Sequence, residues 1–459
     1  MTDTSSLLPN HVGITSDCLY NLKPSAVRSR SYRASVLPTN GGTRNPGDTT
    51  ILYIPGGRRA SYLDCQQTYL KYTVNNTDSS GNINFDGCGA SVINRIDVFH
   101  GSNLLETIQG YNNLACYITD FNMTGSQKVG LSASYGFDAG GLRAGATIAK
   151  SSGQTICMPV FSGVIGLGNS KMLPVGMLCD DIRVEITWEQ NSLGMAFVDT
   201  TYATSAGASP WSVSGIELEL CIVELSDEGE QMVRSESPPD KPIYIASNSW
   251  RHYTASYTAS AGMSSFIVPA RFASLKSIVC LPHRNVDAIV ASYAIASRVN
   301  PNIAYYYWRI GSALVPSKPV YLENGTSAPF NCAGGAEAFM EIQRSWHSLN
   351  TAANASSVIA TYYNVRDVAL TGTPWTVAGV STTNAKGDCI FGFAIAQEME
   401  TFSNRSDVLF SGLNTLTQQV FFEFNVNTAA TTATAWTLDF FANYDQVMIM
   451  ENGLLSVRF

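Results

Sequence analysis

Charged side chains are scarce in this sequence. Only 14% of the 459 residues are Asp, Glu, Lys or Arg, whereas a freely soluble monomer carries about 25%. The 45% of hydrophobic residues supply ample material for cores, so the deficit falls on the surface. We therefore expect other molecules, most simply further copies of the chain, to cover much of that surface.

An excess of positive charge is also missing. The formal net charge is −8, whereas a protein that binds duplex nucleic acid needs a basic face to displace counterions from phosphates. We therefore expect no specific nucleic-acid partner. Basic residues gather only in and just beyond the polar stretch 1–27, which has no period and is interpreted as an N-terminal arm that clasps a neighbouring subunit.

Segments that would cross a membrane or direct secretion are not found. No apolar run approaches the ~18 residues that a spanning helix needs, and the first residues show neither the basic region nor the apolar core of a signal peptide. The ten cysteines never approach CxxC spacing and mostly stand in apolar runs. That scatter is typical of buried thiols in a reducing compartment and predicts no disulfide framework.

Signatures of catalysis and metal binding are missing as well. The five histidines form no HxH or HExxH pair, no cysteine lies within two residues of any of them, and no GxSxG elbow occurs. The stretch GVIGLGNSKML at 163–173 fails as a P-loop, because two residues separate Gly168 from Lys171 and no helical pattern follows. Its glycines are interpreted as loop glycines.

Two acidic pairs, Asp180–Asp181 and Glu217–Glu219, would form a glycosidase dyad only if they converged across a cleft. We interpret them as solvated or interfacial carboxylates. The sequence thus predicts no catalytic, cofactor-binding or metal-ligating residue, no cofactor, and a protein that is not an enzyme.

Apolar and polar residues alternate with a period of two along much of the sequence. In DIRVEITW at 181–188 the apolar side chains fall on one face and the polar ones on the other, and GIELELCI at 215–222 repeats the pattern. Such alternation is typical of half-buried strands. Turn-forming residues separate these segments, so strands dominate the predicted fold, which is all-β.

Three segments break this rhythm. Apolar residues at helical spacing predict helices at 104–118 and 336–349, and a third short helix is predicted at 226–236. Prolines at 238, 239 and 242 follow the third segment and end it. This acidic, proline-rich stretch is the predicted domain boundary.

The two halves of the chain share one order of segments. A proline, an arginine and a Leu-Lys pair open both, in ILYIPGGRRASYLDCQQTYLKYTV at 51–74 and in SSFIVPARFASLKSIV at 264–279. A predicted helix follows in each half, and paired strands close each one: 181–188 corresponds to QVFFEFNV at 419–426, and WSVSGIELELCI at 211–222 to ATAWTLDFFANY. We interpret this order as a tandem duplication of one β-sandwich, with domains at 28–237 and 238–459.

At this point the sequence resembles a known family, the double jelly-roll major capsid proteins of icosahedral DNA viruses, particularly those of Polinton-like viruses and virophages. The resemblance spans residues 60–459. It rests on the order of several passages, namely SYLDCQQTYLKYTV, INRIDVFHGSNLLETIQGYNNL, FSGVIGLGNSKMLPVGMLCDDIRVEITW, IELELCIVELSDEGEQMV, FIVPARFASLKSIV and YDQVMIMENGLLSVRF.

The resemblance implies two tandem eight-stranded jelly rolls with short helices inserted in each. It further implies homotrimers of nearly hexagonal outline, which contact neighbouring trimers, penton or vertex proteins and minor cement proteins in a virion capsid assembled inside the infected host cell. Modest outer loops are expected at 122–155, 190–214, 350–357 and 370–388. Whether a lipid layer lies beneath the shell stays open.

Two alternatives remain beside this interpretation. A β-sandwich carbohydrate-binding or glycan-cleaving protein would present aromatic side chains on one exposed sheet face, and the run Tyr305–Trp308 is the candidate. A minor or vertex capsid protein is the other alternative, although one jelly roll suffices for that role and the duplication disfavours it.

Overall fold

The computed structural model describes residues 27–57, 60–79, 81–139, 145–190, 195–197, 211–236, 241–285, 295, 298–322, 335–346, 356–358, 363–364, 392–400, 410–427 and 435–459. Almost all of the predicted arm at 1–27 therefore lies outside the described residues, as do most of the expected loops at 190–214 and 350–357 and all of the loop at 370–388.

Among the described residues, eleven strands precede the predicted boundary. They are β1 (Ser29–Val36), β2 (Thr49–Ile54), β3 (Ser61–Asn76), β4 (Ile83–Phe85), β5 (Ile93–His100), β6 (Asn103–Gln109), β7 (Thr147–Ile148), β8 (Gly153–Pro159), β9 (Ile182–Trp188), β10 (Met195–Phe197) and β11 (Trp211–Leu225). They form two four-stranded antiparallel sheets, β1-β11-β3-β8 and β2-β9-β5-β6, and a small sheet, β10-β4-β7. We call this part the first roll.

Nine strands follow the boundary in the ranges that the structure describes. They are β12 (Ile243–Thr258), β13 (Gly262–Val268), β14 (Leu275–Arg284), β15 (Ile303–Ile310), β16 (Ala313–Tyr321), β17 (Ile395–Glu398), β18 (Val420–Val426), β19 (Ala435–Glu451) and β20 (Leu454–Arg458). Their sheets run β12-β19-β14-β17 and β13-β18-β15-β16, and β20 pairs with β19 in a C-terminal hairpin. We call this part the second roll.

The strand orders of the two rolls are the same. Ranked along the chain, the eight principal strands of each roll form one sheet in the order first, eighth, third, sixth and another in the order second, seventh, fourth, fifth. This is the arrangement of a jelly roll. The repeated proline passage confirms the correspondence, since Pro55 directly follows β2 and Pro269 directly follows β13.

The predicted alternation holds in the cores. In β9 the side chains of Ile182, Val184 and Ile186 are buried between the two sheets while their neighbours lie partly exposed. The same pattern buries alternate residues of β18, its counterpart in the second roll. Removing these apolar side chains from water supplies the main drive for the two sheets of each roll to close on one another.

In the described part of the chain five α-helices connect the strands: α1 (Tyr111–Asn122), α2 (Gly125–Gly130), α3 (Ser132–Tyr135), α4 (Asp227–Glu236) and α5 (Ala336–Trp346). The predictions of α4, and of α5 as far as residue 346, are confirmed. None of the described helices combines the length and the apolar character that crossing a bilayer requires.

The helix predicted at 104–118 is wrong in its first half. Residues 103–109 form β6, and Gly110 adopts a left-handed conformation, with φ of 61°, before α1 begins. A register shift in the β5–β6 pairing puts both Leu105 and Ile108 in buried positions, a spacing that imitates a helix. The expected loop at 122–155 is also only partly a loop, because α2 and α3 lie in it and Thr124 with Gln127 forms a capping box.

Candidate functional site at the junction between the rolls

The glycines of the P-loop-like stretch bring the first roll against the second. A Cβ at Gly168 would lie 2.2 Å from the carbonyl oxygen of Asn248 on β12, and one at Gly163 would lie 2.5 Å from the same oxygen. The Asn248 amide donates to the Gly168 carbonyl at 3.0 Å. These residues are loop glycines, as predicted, and their absence of side chains lets two backbones meet.

A buried carboxyl, Glu106 of β6, lies at the same contact. It accepts hydrogen bonds from the Ser162 hydroxyl and from the Gly163 amide at 2.8 Å, both in the first roll, and from the Ser249 hydroxyl of β12 in the second. Burial raises the pKa of Glu106, although the hydrogen bonds oppose the shift. This one carboxyl therefore connects β6 to the loop at Ser162 and Gly163 and to β12 of the second roll.

A buried ionic cluster lies farther along the junction. Asp120 of α1 contacts the Lys128 ammonium at 2.9 Å and the Arg298 guanidinium of the second roll at 2.6 Å, and all three side chains are at most 1% exposed. Arg298 also donates to the carbonyl of Phe393 at 3.1 Å. The cluster carries two cations and one anion, and among the described residues Asp120 is the one carboxylate that pairs with either cation.

Aromatic rings surround this cluster. Tyr117 of α1 packs against Trp346 of α5 with ring centroids 5.3 Å apart, and Phe121 lies 6.2 Å from Phe339. Trp346 also contacts Trp250 of β12 at 5.6 Å. The helices that follow the fifth principal strand of each roll thus meet each other, and their contact keeps water from the ionic cluster.

The C-terminal hairpin closes another part of the junction. The Leu455 amide of β20 donates to Nδ1 of His100 at 3.2 Å, and Asn103 returns a hydrogen bond to the Leu455 carbonyl at 3.0 Å. Both partners flank the turn between β5 and β6. The end of the second roll is therefore held against the edge of a first-roll sheet.

Two histidines flank one carboxylate in a polar cleft of about 340 Å³ between the rolls. Asp439 of β19 lies 2.9 Å from Nε2 of His252 and 3.4 Å from Nε2 of His283, and it accepts from Asn113 of α1 at 2.9 Å. Burial acts to raise the pKa of Asp439, but the His252 hydrogen bond and the two imidazole charges outweigh it and lower that pKa.

The described lining of this cleft places the threonines Thr254 and Thr437 beside the two imidazoles and the carboxylate. The described lining residues include no serine or cysteine beside the imidazoles, so a histidine-activated nucleophile of that type is not assembled. Within the described ranges, no three His, Cys, Asp or Glu side chains are grouped to hold a metal ion. The seven described cysteines are all free thiols. The cleft acts as a hydrogen-bonded contact between the rolls.

The remaining candidates from the sequence lie apart from the junction cleft. Asp180 and Asp181 are exposed, and Asp181 accepts from the Gly56 amide at 2.8 Å. Glu219 is more buried than a solvated carboxylate, at 6% exposure, because it accepts from Ser35 and Arg33 of β1. Asp181, Glu217 and Glu219 therefore accept hydrogen bonds from neighbouring strands and loops, whereas Asp180 lies exposed.

The aromatic run at Tyr305–Trp308 does not form one exposed platform. Tyr306 and Trp308 are fully buried in the core of the second roll, whereas Tyr305 and Tyr307 lie partly exposed on the other face of β15. A glycan-binding surface needs its aromatic rings side by side on one accessible face. The run itself supplies two rings, Tyr305 and Tyr307, to an outer face, where Tyr321 of β16 lies 5.4 Å from Tyr305, and its other two rings belong to the core.

The outer sheet faces retain a trace of the duplication that sequence patterns do not reveal. In the first roll the Arg183 guanidinium of β9 lies 4.3 Å from the ring centroid of Phe99 on β5. At the corresponding position of the second roll the strands exchange partners, and Arg309 of β15 lies 4.0 Å from the ring of Phe421 on β18. The same cation–π contact is thus built with its two residues interchanged.

The charged groups of the junction were not predicted from the sequence. Glu106 stands in an apolar run, LLETI, and Asp120 lies one residue before Phe121 on the mostly buried helix α1. A lone charge within a buried segment is the signal that points to such groups, because it requires a partner. The partner itself, as with Arg298, lies far away in the chain.

Comparisons with known proteins concern the fold. No protein-family model and no curated protein matches the sequence. PBCV-1 VP54, as fitted into a cryo-EM reconstruction of the virophage Sputnik, is 7% identical with a TM-score of 0.63, over 96% of this chain and 99% of that one. The mavirus major capsid protein is 11% identical with a TM-score of 0.51, over 97% and 93%.

The Sputnik virophage structure solved by cryo-EM is 10% identical with a TM-score of 0.52, over 98% of this chain and 93% of that one. These matches extend across both rolls and across the junction. Together with the strand orders, they show that this chain has the double jelly-roll fold of the virophage and PBCV-1 major capsid proteins.

Proposed function

We propose that this protein is the major capsid protein of an icosahedral DNA virus, of the Polinton-like or virophage type. The observation that carries the proposal is the pair of eight-stranded rolls with one strand order, joined side by side by a buried junction. A chain with two similar lobes supplies six lobes per trimer, and a six-lobed ring tiles a flat facet.

The domain organisation belongs to this proposal. Residues 28–237 would form the first jelly roll with α4 as its closing linker helix, and 238–459 the second, since no sheet pairs strands from both sides of the boundary in the described chain. The protein would act as a structural subunit and not as an enzyme. Its partners would be its own copies, neighbouring trimers, and vertex and cement proteins of the virion.

The test is the oligomeric state of the purified full chain. Light scattering after size-exclusion chromatography is expected to give three times the 49.5 kDa chain mass, and negative-stain images are expected to show particles with six lobes. A stable monomer at micromolar concentration, or an oligomer without threefold symmetry, would contradict the proposal.

A further inference from the structure

The outward face of the sheet β13-β18-β15-β16 carries several aromatic side chains. Its residues that point away from the core form three cross-strand rows. They are Met263, Asn425, Tyr305 and Tyr321 in the first row, Ser265, Glu423 and Tyr307 in the second, and Ile267, Phe421, Arg309 and Leu314 in the third. We call this surface the tyrosine face. Met263, Ile267 and Tyr321 are each more than half exposed, and exposed apolar patches mark sites of interaction.

The corresponding face of the first roll has a different chemistry. Its matching first row consists of Thr49, Thr187, Arg95 and Gln109, and Asp97 stands in the place of Tyr307. Arg95 and Asp97 form an ion pair there at 2.8 Å. Since both sheets have the same strand order, the fold itself does not require tyrosines at these positions. The tyrosine face therefore distinguishes the second roll from the first.

Two of the tyrosines lie side by side. The ring centroids of Tyr305 and Tyr321 are 5.4 Å apart, with the ring planes inclined by 50°. The Tyr305 hydroxyl lies 3.7 Å from the sulfur of Met263, which stands two strands away across β18. The Tyr305 side chain therefore extends along the surface of the sheet instead of standing upright on it. Its ring is partly exposed, so the two rings form an aromatic floor at one end of the face.

Polar groups of fixed geometry lie beside this floor. Arg309 donates to Oε1 of Glu423 from Nε at 3.0 Å and from Nη2 at 2.8 Å, and Ser265 donates to the same oxygen at 3.2 Å. The guanidinium and the carboxylate cancel in charge. Lys318, at the bulge of β16, is likewise paired with Glu337 of α5 at 3.0 Å. The tyrosine face therefore combines aromatic rings and hydrogen-bonding groups with no net charge.

We propose that the tyrosine face binds an uncharged oligosaccharide along the row from Met263 to Tyr321. The C–H groups of a sugar ring carry partial positive charge and are attracted to the negative faces of aromatic rings. Its hydroxyls exchange hydrogen bonds with amide and hydroxyl groups such as those of Asn425 and Ser265. Because the charges on the face are paired with each other, the face complements a neutral glycan and not an acidic one.

The size of the row fits several sugar units. The row crosses four strands, which at about 4.8 Å between neighbours gives a length of about 14 Å. A small number of placed polar groups beside an apolar surface is also the usual composition of a small-ligand site. Such binding would be additional to the proposed capsid function and does not depend on it.

An array of neutral, sialylated and sulfated glycans, probed with the purified full-length protein, is the first experiment. The protein is expected to bind neutral members, and calorimetric titration with the best soluble neutral oligosaccharide then gives the affinity. Tyr321→Ala and Tyr305→Ala are expected to weaken it by about fivefold or more, as truncation of a central aromatic contact does. Tyr321→Phe keeps the ring and is expected to retain most of the affinity.

The matched control is Tyr53→Ala. Tyr53 is 39% exposed on β2, on the corresponding face of the first roll, and its truncation is expected to leave the affinity unchanged. Thermal unfolding of each variant checks the fold. Tyr321 lies on an edge strand and is 54% exposed, so Tyr321→Ala is expected to keep the parent midpoint even if Tyr305→Ala does not.

Several results would overturn the proposal. It fails if the array shows no bound glycan, if only acidic glycans bind, or if folded Tyr321→Ala binds as tightly as the parent. It also fails if Tyr53→Ala loses as much affinity as Tyr321→Ala. If the parent binds no glycan and Tyr321→Ala lowers the mass in light scattering, the face is a contact between copies of the chain. Each of these results leaves the capsid function to be decided by the oligomeric state of the parent protein.

Discussion

Removing the negative charge of Asp120 gives the sharpest test of the junction. The variant Asp120→Asn keeps the shape of the side chain but removes the carboxylate that, in the described part of the chain, pairs with the two buried cations Lys128 and Arg298. Breaking a buried ion pair in this way costs about 3–5 kcal/mol, because the remaining charge is neither solvated nor offset. With a urea dependence of roughly 3 kcal/mol per molar, the unfolding midpoint would fall by about 1–2 M.

Tryptophan fluorescence during urea titration is a suitable assay, since Trp250 and Trp346 pack against each other at the junction. The matched control is Arg30→Ala, which breaks an exposed pair with Glu224 and should cost at most about 1 kcal/mol. Adding Lys128→Met to the Asp120→Asn variant removes one stranded cation and is expected to recover part of the loss. If Asp120→Asn lowers the urea midpoint no more than Arg30→Ala does, the reasoning is refuted.

Two further predictions concern the same junction. Burial raises the pKa of Glu106 in the folded chain, so the folded chain binds this proton more tightly than the unfolded chain does. The contribution of Glu106 to the free energy of unfolding therefore falls as the pH rises above the ordinary pKa of a glutamate. Glu106→Gln removes that dependence, so its urea midpoint relative to the parent should rise between about pH 5 and pH 8; a constant difference would contradict this. Gly168→Ala, whose Cβ would lie 2.2 Å from a carbonyl oxygen, is expected to lower the thermal midpoint by several degrees, whereas Gly42→Ala, with no atom within 4 Å, is not; equal midpoints would contradict the close approach.

Alternation along the chain was enough to predict the strands and their duplication. The reason is local. Successive side chains of β9 or β18 point alternately to the core and to the outside, so apolar and polar residues alternate in the sequence. The proline passages showed which segments of the two halves correspond, since Pro55 and Pro269 directly follow the same strand of each roll. The order of these segments along the chain was therefore enough to predict the fold class.

The segment at 104–118 shows where such patterns fail. A short apolar run reads equally well as a helix or as a buried strand, and here the register shift between β5 and β6 altered the spacing. The structure resolves the ambiguity at Gly110, whose left-handed backbone ends the strand and begins α1. Pairing with β5, not the local sequence, decided the outcome.

The junction could not be derived from the sequence because its partners are distant. Arg298 and Asp120 are separated by 178 positions, and the glycines at 163 and 168 acquire their meaning only from the Asn248 carbonyl of the other roll. No period or spacing encodes such contacts. They follow from the way that two finished rolls meet.

The buried polar groups of the junction have a physical consequence for the chain. Glu106 accepts hydrogen bonds from Ser162 of the first roll and from Ser249 of the second, and Asp120 pairs with Lys128 of the first roll and with Arg298 of the second. Separating the rolls would break the second half of each set and would leave the Arg298 guanidinium without its carboxylate partner, which is costly for a buried charge. An exposed pair such as Arg33 with Glu219 lies within one roll and would survive that separation. The buried groups, and not the exposed ion pairs, therefore hold the two rolls of the chain together.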